Sequence, residues 1–514
     1  VSEELLVVKG LSKYFGEERA LEDIELTINK GEIRCLAGEN GSGKSTFVKI
    51  VSGVYVASSG EITMDGEEVP PRDPRASIAA GIQVIYQDLS LFEHLTVAEN
   101  IAINVMMHRG SKFVNRNEMH EIATRQLERI GVELPGDATV SSLSMANKQV
   151  VAIARALSMD AKLLFMDEPT TALTSTEVEQ LLSIVHELRS QGLAVVFISH
   201  KLDEVFNIAD SITVFRDGHK VGDFAAEDLN SASLSYHMTG REIMHKPYKR
   251  KTRSDDRERA PLLKLNSLTA HDFYRDVSFE VRPGDIVGLT GLLGAGRTEL
   301  ALSLYGLNAP SSGEIQIDGR STVIDAPWTA LKNGIALVPE DRSKQGLFSE
   351  QSLAANVSSS KLETLKTKLK LLDLKAEKQL ASEMIDAMAV NNRNIDALAG
   401  ILSGGNQQKI VIGKWIAREP KLFILDSPTV GIDIGSKSEI YEKIHQLASS
   451  GIGVILISDE PEEIYVNCNR VIVMHEGDVI AKFDEESRDQ PDFQERLAEI
   501  IANPAAHRAL ETGA

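Results

Sequence analysis

The sequence predicts an α/β protein made of two tandem copies of one domain, each built on a largely parallel sheet. Two observations carry this reading. First, segments recur in the same order: "KGEIRCLAGENGSGKST" from Lys30 answers to "PGDIVGLTGLLGAGRTE" from Pro283, and "GIQVIYQDLSLF" from Gly81 to "GIALVPEDRSKQGLF" from Gly334. Likewise "LLFMDEPTTALT" from Leu163 answers to "LFILDSPTVGID" from Leu422, and "VVFISHKLDEVF" from Val195 to "VILISDEPEEIY" from Val454. The offset is 253 residues between Gly38 and Gly291 and 259 between Asp167 and Asp426, so this is a duplicated domain and not a short-period solenoid. Second, short β-branched runs alternate with helical patterns within each copy, as in parallel sheets with helical crossovers. A length of 514 residues agrees, being too great for a single core.

The elements follow in order. The apolar runs that end in "CLAG", "VIYQ", "LLFMD" and "VVFIS" have the length of buried strands, and each is followed by polar or glycine-rich sequence. Between the second and third of these, "RNEMHEIATRQLERIGV" carries apolar residues at helical spacing, and "LKAEKQLASEMIDAMAV" does so at the equivalent place in the second copy. Both are expected to form an inserted helical subdomain. The basic run "KPYKRKTRSDDRER", Lys246 to Arg259, lies between the copies and interleaves Asp255, Asp256 and Glu258. It is expected to be a solvated linker and not a phosphate or lipid site. The resulting division is domain 1 at 1–245, a charged linker at 246–260 and domain 2 at 261–505.

Composition excludes several classes. Hydrophobic content of 42% with 25% charged residues is that of a globular protein. The longest apolar runs fall far short of the ~20 residues of a membrane span, and the sequence predicts no cleaved leader. A formal net charge of −20 weighs against nucleic-acid binding, which needs a basic face. Cys35 and Cys468 sit in unrelated contexts, which suggests a reducing compartment and no structural metal.

The chemistry is written most fully in the first copy. "GENGSGKST", Gly38, Glu39, Asn40, Gly41, Ser42, Gly43, Lys44, Ser45 and Thr46, begins as a G-x-x-x-x-G-K-[ST] loop between strand and helix. Its backbone N–H groups can close around phosphate oxygens, Lys44 can reach the outer phosphates, and the Ser45 hydroxyl can bind magnesium. "LLFMDE" ends in two carboxylates: Asp167 suits the magnesium shell and Glu168 suits orienting and deprotonating an attacking water. Gln87 could touch magnesium and that water, and His200 could contact the terminal phosphate. Any one of these could be structural. Four in order, each at the C-terminal end of an apolar strand, point to a nucleotide site, because parallel sheets gather ligands at that edge.

That order, completed by the loops "LSMANKQ" and "LSGGNQQ", resembles the ATP-binding cassette ATPases over almost the whole chain, twice. "GAGRTEL", "ALVPEDR", "LSGGNQQK", "PTVGIDIGSKSEIY" and "DLSLFEHLTVAENI" are similar more narrowly to the double-cassette ATPase subunits of bacterial monosaccharide importers, the ribose, galactose, xylose and arabinose group. The resemblance implies two tandem P-loop cassettes, each with a mixed, mostly parallel sheet, an antiparallel portion and a helical insertion. It implies ATP and Mg2+, with Phe15 stacking on adenine and Tyr14 as the near alternative. It implies two integral-membrane permease subunits, a periplasmic sugar-binding protein acting indirectly, no nucleic acid, and a place at the cytoplasmic face of the inner membrane. The segments after Gln87 and Glu340 resemble the family's permease-contacting grooves. Soluble double-cassette proteins acting on ribosomes are the alternative class; a short linker and an impaired second site speak against it.

The second copy departs from the pattern. Arg297 stands in place of the loop lysine, Glu340 in place of the glutamine, Ser427 in place of the base and Asp459 in place of the histidine. Conversely, the signature glycines are present only there: Ser403, Gly404, Gly405, Asn406 and Gln407 against Ser144, Met145 and Ala146 in the first copy. In this family two cassettes stack head to tail, each ATP lying between one Gly-rich loop and the other domain's signature. The resemblance therefore implies one complete site, from Lys44 and its neighbours with Ser403, Gly404, Gly405, Asn406 and Gln407, and one impaired site. Asp433, matched by Thr174, lies in the loop that family members lay against the partner's site.

Overall fold

The computed structural model describes residues 3–70, 73–110, 114–170, 173–199, 201–241, 247–250, 260–292, 294–490 and 492–504. Two compact units are present, Val1–Ile243 and Met244–Ala514. In unit 1 the central sheet has the spatial order His219–Ala225, Ser211–Arg216, Ile33–Ala37, Ala194–Ile198, Leu163–Asp167, Ile82–Ile85. Only the first pair is antiparallel; the other neighbours run parallel. Ile33–Ala37 and Ala194–Ile198 are buried along their whole length, which is why these strands read as unbroken apolar runs. A second, antiparallel sheet has the order Glu18–Asn29, Glu4–Phe15, Ser59–Met64, Glu67–Glu68. Leu6, Val8 and Leu26 from this sheet share one core with Phe47 of the helix Lys44–Val51 and with Phe165 and Phe215 of the central sheet.

Unit 2 repeats the plan. Its central sheet runs Ile335–Val338, Leu422–Asp426, Gly453–Ile457, Ile286–Thr290, Arg470–His475, Asp478–Phe483, with only the last pair antiparallel. Its antiparallel sheet is Tyr274–Val281, Leu263–Ala270, Ser312–Ile317, Arg320–Ser321.

The helical insertions are Val97–His108, Arg116–Arg129 and Met145–Leu157 in unit 1, and Leu353–Ser358, Leu374–Ala387 and Gly404–Ile416 in unit 2. One buried asparagine fastens each insertion to the segment that leaves the sheet. Asn100 accepts from the Phe92 N–H and donates to the carbonyls of Phe92 and Thr96. Asn356 makes the same bonds with Phe348 and Ser352. Among the described residues, no helix is long and apolar enough to cross a membrane.

The basic run holds a surprise. Tyr248 is buried in the unit 2 core, its hydroxyl donating to the Gly284 carbonyl at 2.9 Å and its N–H to Val466 at 2.8 Å. Arg488 donates to the Tyr248 carbonyl at 2.9 Å, and Arg250 lies 3.4 Å from the buried Asp285 carboxylate. A solvated linker is therefore the wrong description of Pro247–Arg250: one aromatic ring supplies burial that the charge pattern of the run conceals. Lys246 and residues 251–259 of the expected linker lie outside the described residues.

Candidate functional site

The strand Ile33–Ala37 delivers the chain into the Gly-rich turn, and the helix Lys44–Val51 begins on its far side. Two glycines are demanded by geometry. Gly38 has φ 148° and a Cβ there would lie 2.3 Å from the Phe215 carbonyl; Gly43 has φ 104° and a Cβ would lie 2.5 Å from Leu21 Cδ2. Gly43 caps the helix with no side chain, so the first-turn N–H groups face no side-chain acceptor and suit an anion. Lys44 is 8% exposed and its ammonium donates to the carbonyls of Gly38 at 2.6 Å and Glu39 at 2.8 Å. The loop is thus drawn around the charge that a polyphosphate would meet. Asn40, Gly41 and Ser45 are exposed, Ser42 is buried, and Thr46 is half-buried.

Asp167 closes the strand Leu163–Asp167, and Glu168 turns sharply out of it with φ 47°, its N–H donating to Ile198 at 3.0 Å. Ser427 has the same conformation, φ 45°, with its N–H on Ile457 at 3.0 Å. The second copy keeps the turn and loses the carboxylate. Burial raises the Asp167 pKa, the Glu168 charge raises it further, and Lys44 and Lys49 oppose the rise. A divalent cation would relieve that crowding, and the Ser45 hydroxyl, Gln87 amide and Asp167 carboxylate are the hard oxygen donors that Mg2+ takes. Gln87 follows the strand Ile82–Ile85 and is exposed.

His200 lies outside the described residues. Its neighbour Ser199 is buried and donates to Glu204 at 2.8 Å, and Thr170 donates to the same carboxylate oxygen at 2.7 Å. Glu463 repeats this with Thr429 and Ser458 in unit 2. One buried carboxylate thus pins the loop after Glu168 to the loop before His200. The sequence reading missed both glutamates, although they occupy matching positions in the repeated "ISHKLDEVF" and "ISDEPEEIY" segments.

Phe15 ends the strand Glu4–Phe15 and is 45% exposed, resting edge-on against Tyr55 with ring centroids 5.5 Å apart. Such a ring retains area for a base. Tyr14 is similarly exposed, but its hydroxyl donates to Glu22 at 3.3 Å.

In unit 2 the glycines of the matching turn keep their conformation, and the cation is changed. Gly291, Gly294 and Gly296 keep φ of 147°, 81° and 90°. Arg297 is 8% exposed; one Nη donates to the Leu292 carbonyl at 3.4 Å and the other is buried without a hydrogen-bond partner. Burial pulls the guanidinium pKa down, while Asp459, Asp426, Glu340 and Glu299 oppose this. Asp426 is 3% exposed, and burial, with Glu340 adding to it, pushes its pKa up to about 6. An acid whose folded pKa is raised binds its proton better folded than unfolded, so stability falls as pH rises from the unfolded pKa to the folded one. Asp426→Asn is therefore expected to stabilise unit 2 by about 2–3 kcal/mol near neutral pH, the advantage growing between about pH 4 and 6 and levelling above it. Thermal melts across pH check this; an advantage that does not change with pH would contradict it.

The two signature helices differ where they begin. Ser144 caps Met145–Leu157, its hydroxyl accepting from the Asn147 N–H at 3.3 Å. Ser403 makes no such cap on Gly404–Ile416; its hydroxyl accepts instead from the Asn406 side-chain amide at 2.9 Å. No side chain caps the helix N-terminus in unit 2. Asn406 also accepts from the Asn391 N–H at 3.0 Å, and the Gln407 amide donates to the Leu402 carbonyl at 3.1 Å. Asn406 is buried, Gln407 is half-buried and Ser403 is exposed. The glycines have an internal duty as well: a Cβ on Gly404 would lie 2.6 Å from the Arg342 guanidinium, and one on Gly405 would lie 2.2 Å from Ser436 Oγ. Asp433 caps the helix Ile434–Ser449 through the Ser436 N–H, while Thr174 forms a capping box with Glu177.

Comparison with known proteins identifies the family. The family model described as ABC transporter matches residues 21–171 and 274–430. The chain is 41% identical over 478 residues to a ribose import ATP-binding protein of Streptomyces coelicolor, covering 93% of this chain and 94% of that protein. It is 40% identical over 488 residues to a xylose import ATP-binding protein of Geobacillus kaustophilus, covering 93% and 96%. With two matches to one family model, two repeats of one fold and near full-length relatives, the chain belongs to the ABC transporter family and carries two of its ATP-binding cassettes.

Proposed function

We propose that this chain is the ATP-hydrolysing subunit of a bacterial importer for a monosaccharide or related sugar, bound to two membrane permease subunits at the cytoplasmic face of the inner membrane. A periplasmic sugar-binding protein would feed those permeases. The observation that carries the reading is the division of intact groups: Lys44, Asp167 and Glu168 lie in unit 1, whereas the open helix N-terminus behind Ser403 lies in unit 2. The substrate class is supported by relatives named for ribose and xylose import.

In this mechanism Phe15 stacks on adenine, the Gly-rich turn and Lys44 hold the outer phosphates, and Ser403 with its helix N–H groups meets the terminal phosphate from the other cassette. Magnesium, held by Ser45, Gln87 and Asp167, would neutralise phosphate charge when bound. Glu168 accepts the proton of the attacking water as the new O–P bond forms and the bond to ADP breaks. His200 orients the terminal phosphate. Ser427 has no basicity to offer at neutral pH, so unit 2's own phosphate loop is a poor hydrolytic site.

The test is ATP turnover by the chain reconstituted with its permease pair in proteoliposomes. Turnover is expected to rise when a sugar-loaded binding protein of the ribose or xylose class is supplied. Co-sedimentation with ribosomes and not with membranes would sink the proposal.

A further inference from the structure

Arg342 occupies a position that the mechanism above does not use. It opens the turn Arg342–Gly346, just after Glu340, and its side chain reaches two other loops of unit 2. One Nη donates to the Val430 carbonyl at 2.7 Å and the other to the Gly431 carbonyl at 3.4 Å, in the loop that leads to Asp433. The same guanidinium lies against Gly404, where a Cβ would come within 2.6 Å of it. Lys414, on the signature helix, donates to the Gly346 carbonyl at 2.5 Å and closes the other end of the turn.

Unit 1 differs at the residue itself. Arg155, the counterpart of Lys414, donates to the carbonyls of Leu89 and Ser90, but the position of Arg342 is held by Leu89, which has no charged group to reach the other loops. In unit 2 the link reaches the signature that keeps its glycines. A planar guanidinium suits the task, since its divergent N–H groups can hold two carbonyls at once.

We propose that Arg342 is a positioning residue: it ties the turn after Glu340 to the signature loop and to the Asp433 loop, so that a displacement of that turn is passed to Ser403. Because this rests on the division of labour proposed above, Arg342 sets the rate of hydrolysis at the unit 1 nucleotide without touching it. Loss of the link leaves ATP binding by Lys44 and Phe15 intact and misplaces the group that meets the terminal phosphate.

The experiment is a double-mutant cycle in the complete complex with its permease pair, reading kcat and KM for ATP. Arg342→Ala is expected to lower kcat about tenfold or more while KM stays within about twofold. Arg342→Lys, with one ammonium in place of the fork, is expected to fall between. Added to Ser403→Ala, Arg342→Ala should cost less than about a further twofold, because a residue that acts through Ser403 has nothing left to position. A raised KM with unchanged kcat, or losses that multiply in the double variant, would overturn the assignment. If Arg342→Ala does not yield folded protein, Arg342→Lys in the same cycle decides it. Should Ser403→Ala alone leave kcat intact, the division of labour falls, and this inference with it; a harmful Ser403→Ala with a harmless or additive Arg342→Ala removes only this inference.

Discussion

Glu168→Gln is expected to lower ATP turnover of the assembled complex by about 10²-fold or more, while Arg297→Met keeps the rate within about threefold. The amide retains the shape of the carboxylate and its position on the turned-out residue beyond Asp167, so nucleotide binding should persist. What it lacks is a basic lone pair for the proton of water. Arg297 has the matching place in unit 2, yet the residue that would complete a reaction there is Ser427. On the division of labour proposed above, removing its charge alters a turn that supports little chemistry of its own. Single-turnover rates with ATP affinity measured separately will distinguish the outcomes. If Arg297→Met were as damaging to turnover as Glu168→Gln while binding held, hydrolysis could not be confined to the unit 1 nucleotide.

Gly405→Ala is the second large effect, expected to destabilise unit 2 by about 1–3 kcal/mol and to lower turnover by about tenfold or more. The added methyl would sit 2.2 Å from Ser436 Oγ and 2.5 Å from Ser436 Cβ, and the second contact cannot be relieved by rotating the hydroxyl. Either the signature helix or the start of Ile434–Ser449 must shift, and both carry loops assigned to the ATP site. Ser436→Gly removes the opposing Cβ, so the pair Gly405→Ala with Ser436→Gly should recover much of the lost melting temperature and part of the turnover. No recovery in either quantity would mean that the glycine is needed for something other than room against Ser436. The counterpart in unit 1 is already alanine, Ala146, and the helix matching Ile434–Ser449 begins there with the Thr174 and Glu177 capping box.

How much could be read beforehand depends on where the determining contact lies. The Gly-rich turn was legible because φ, the helix start and the lysine are encoded within a few neighbouring residues. The strand-end placement of Asp167 and Gln87 was legible because buried parallel strands leave unbroken apolar runs. Tyr248 was misread, since a single ring within a basic run outweighs the charges around it only when a core is present to receive it. Glu204 and Glu463 carry no local signal for a related reason. Their partners Thr170, Ser199, Thr429 and Ser458 come from loops brought together by the sheet.

The amino-acid sequence by itself determined the duplication, the order of the nucleotide-site motifs in the first copy and the complementary substitutions in the two copies, because these reside in residue identity and local order. The tertiary structure alone decided that Ser403 leaves its helix uncapped while Ser144 does not, that Asn406 bonds to the Asn391 N–H and Gln407 to the Leu402 carbonyl, and that Gly404 and Gly405 make room for Arg342 and Ser436. Each of those outcomes is a competition for one hydrogen bond or one small volume between segments far apart in the chain, and such a competition is settled only when the fold brings both contenders to the same place.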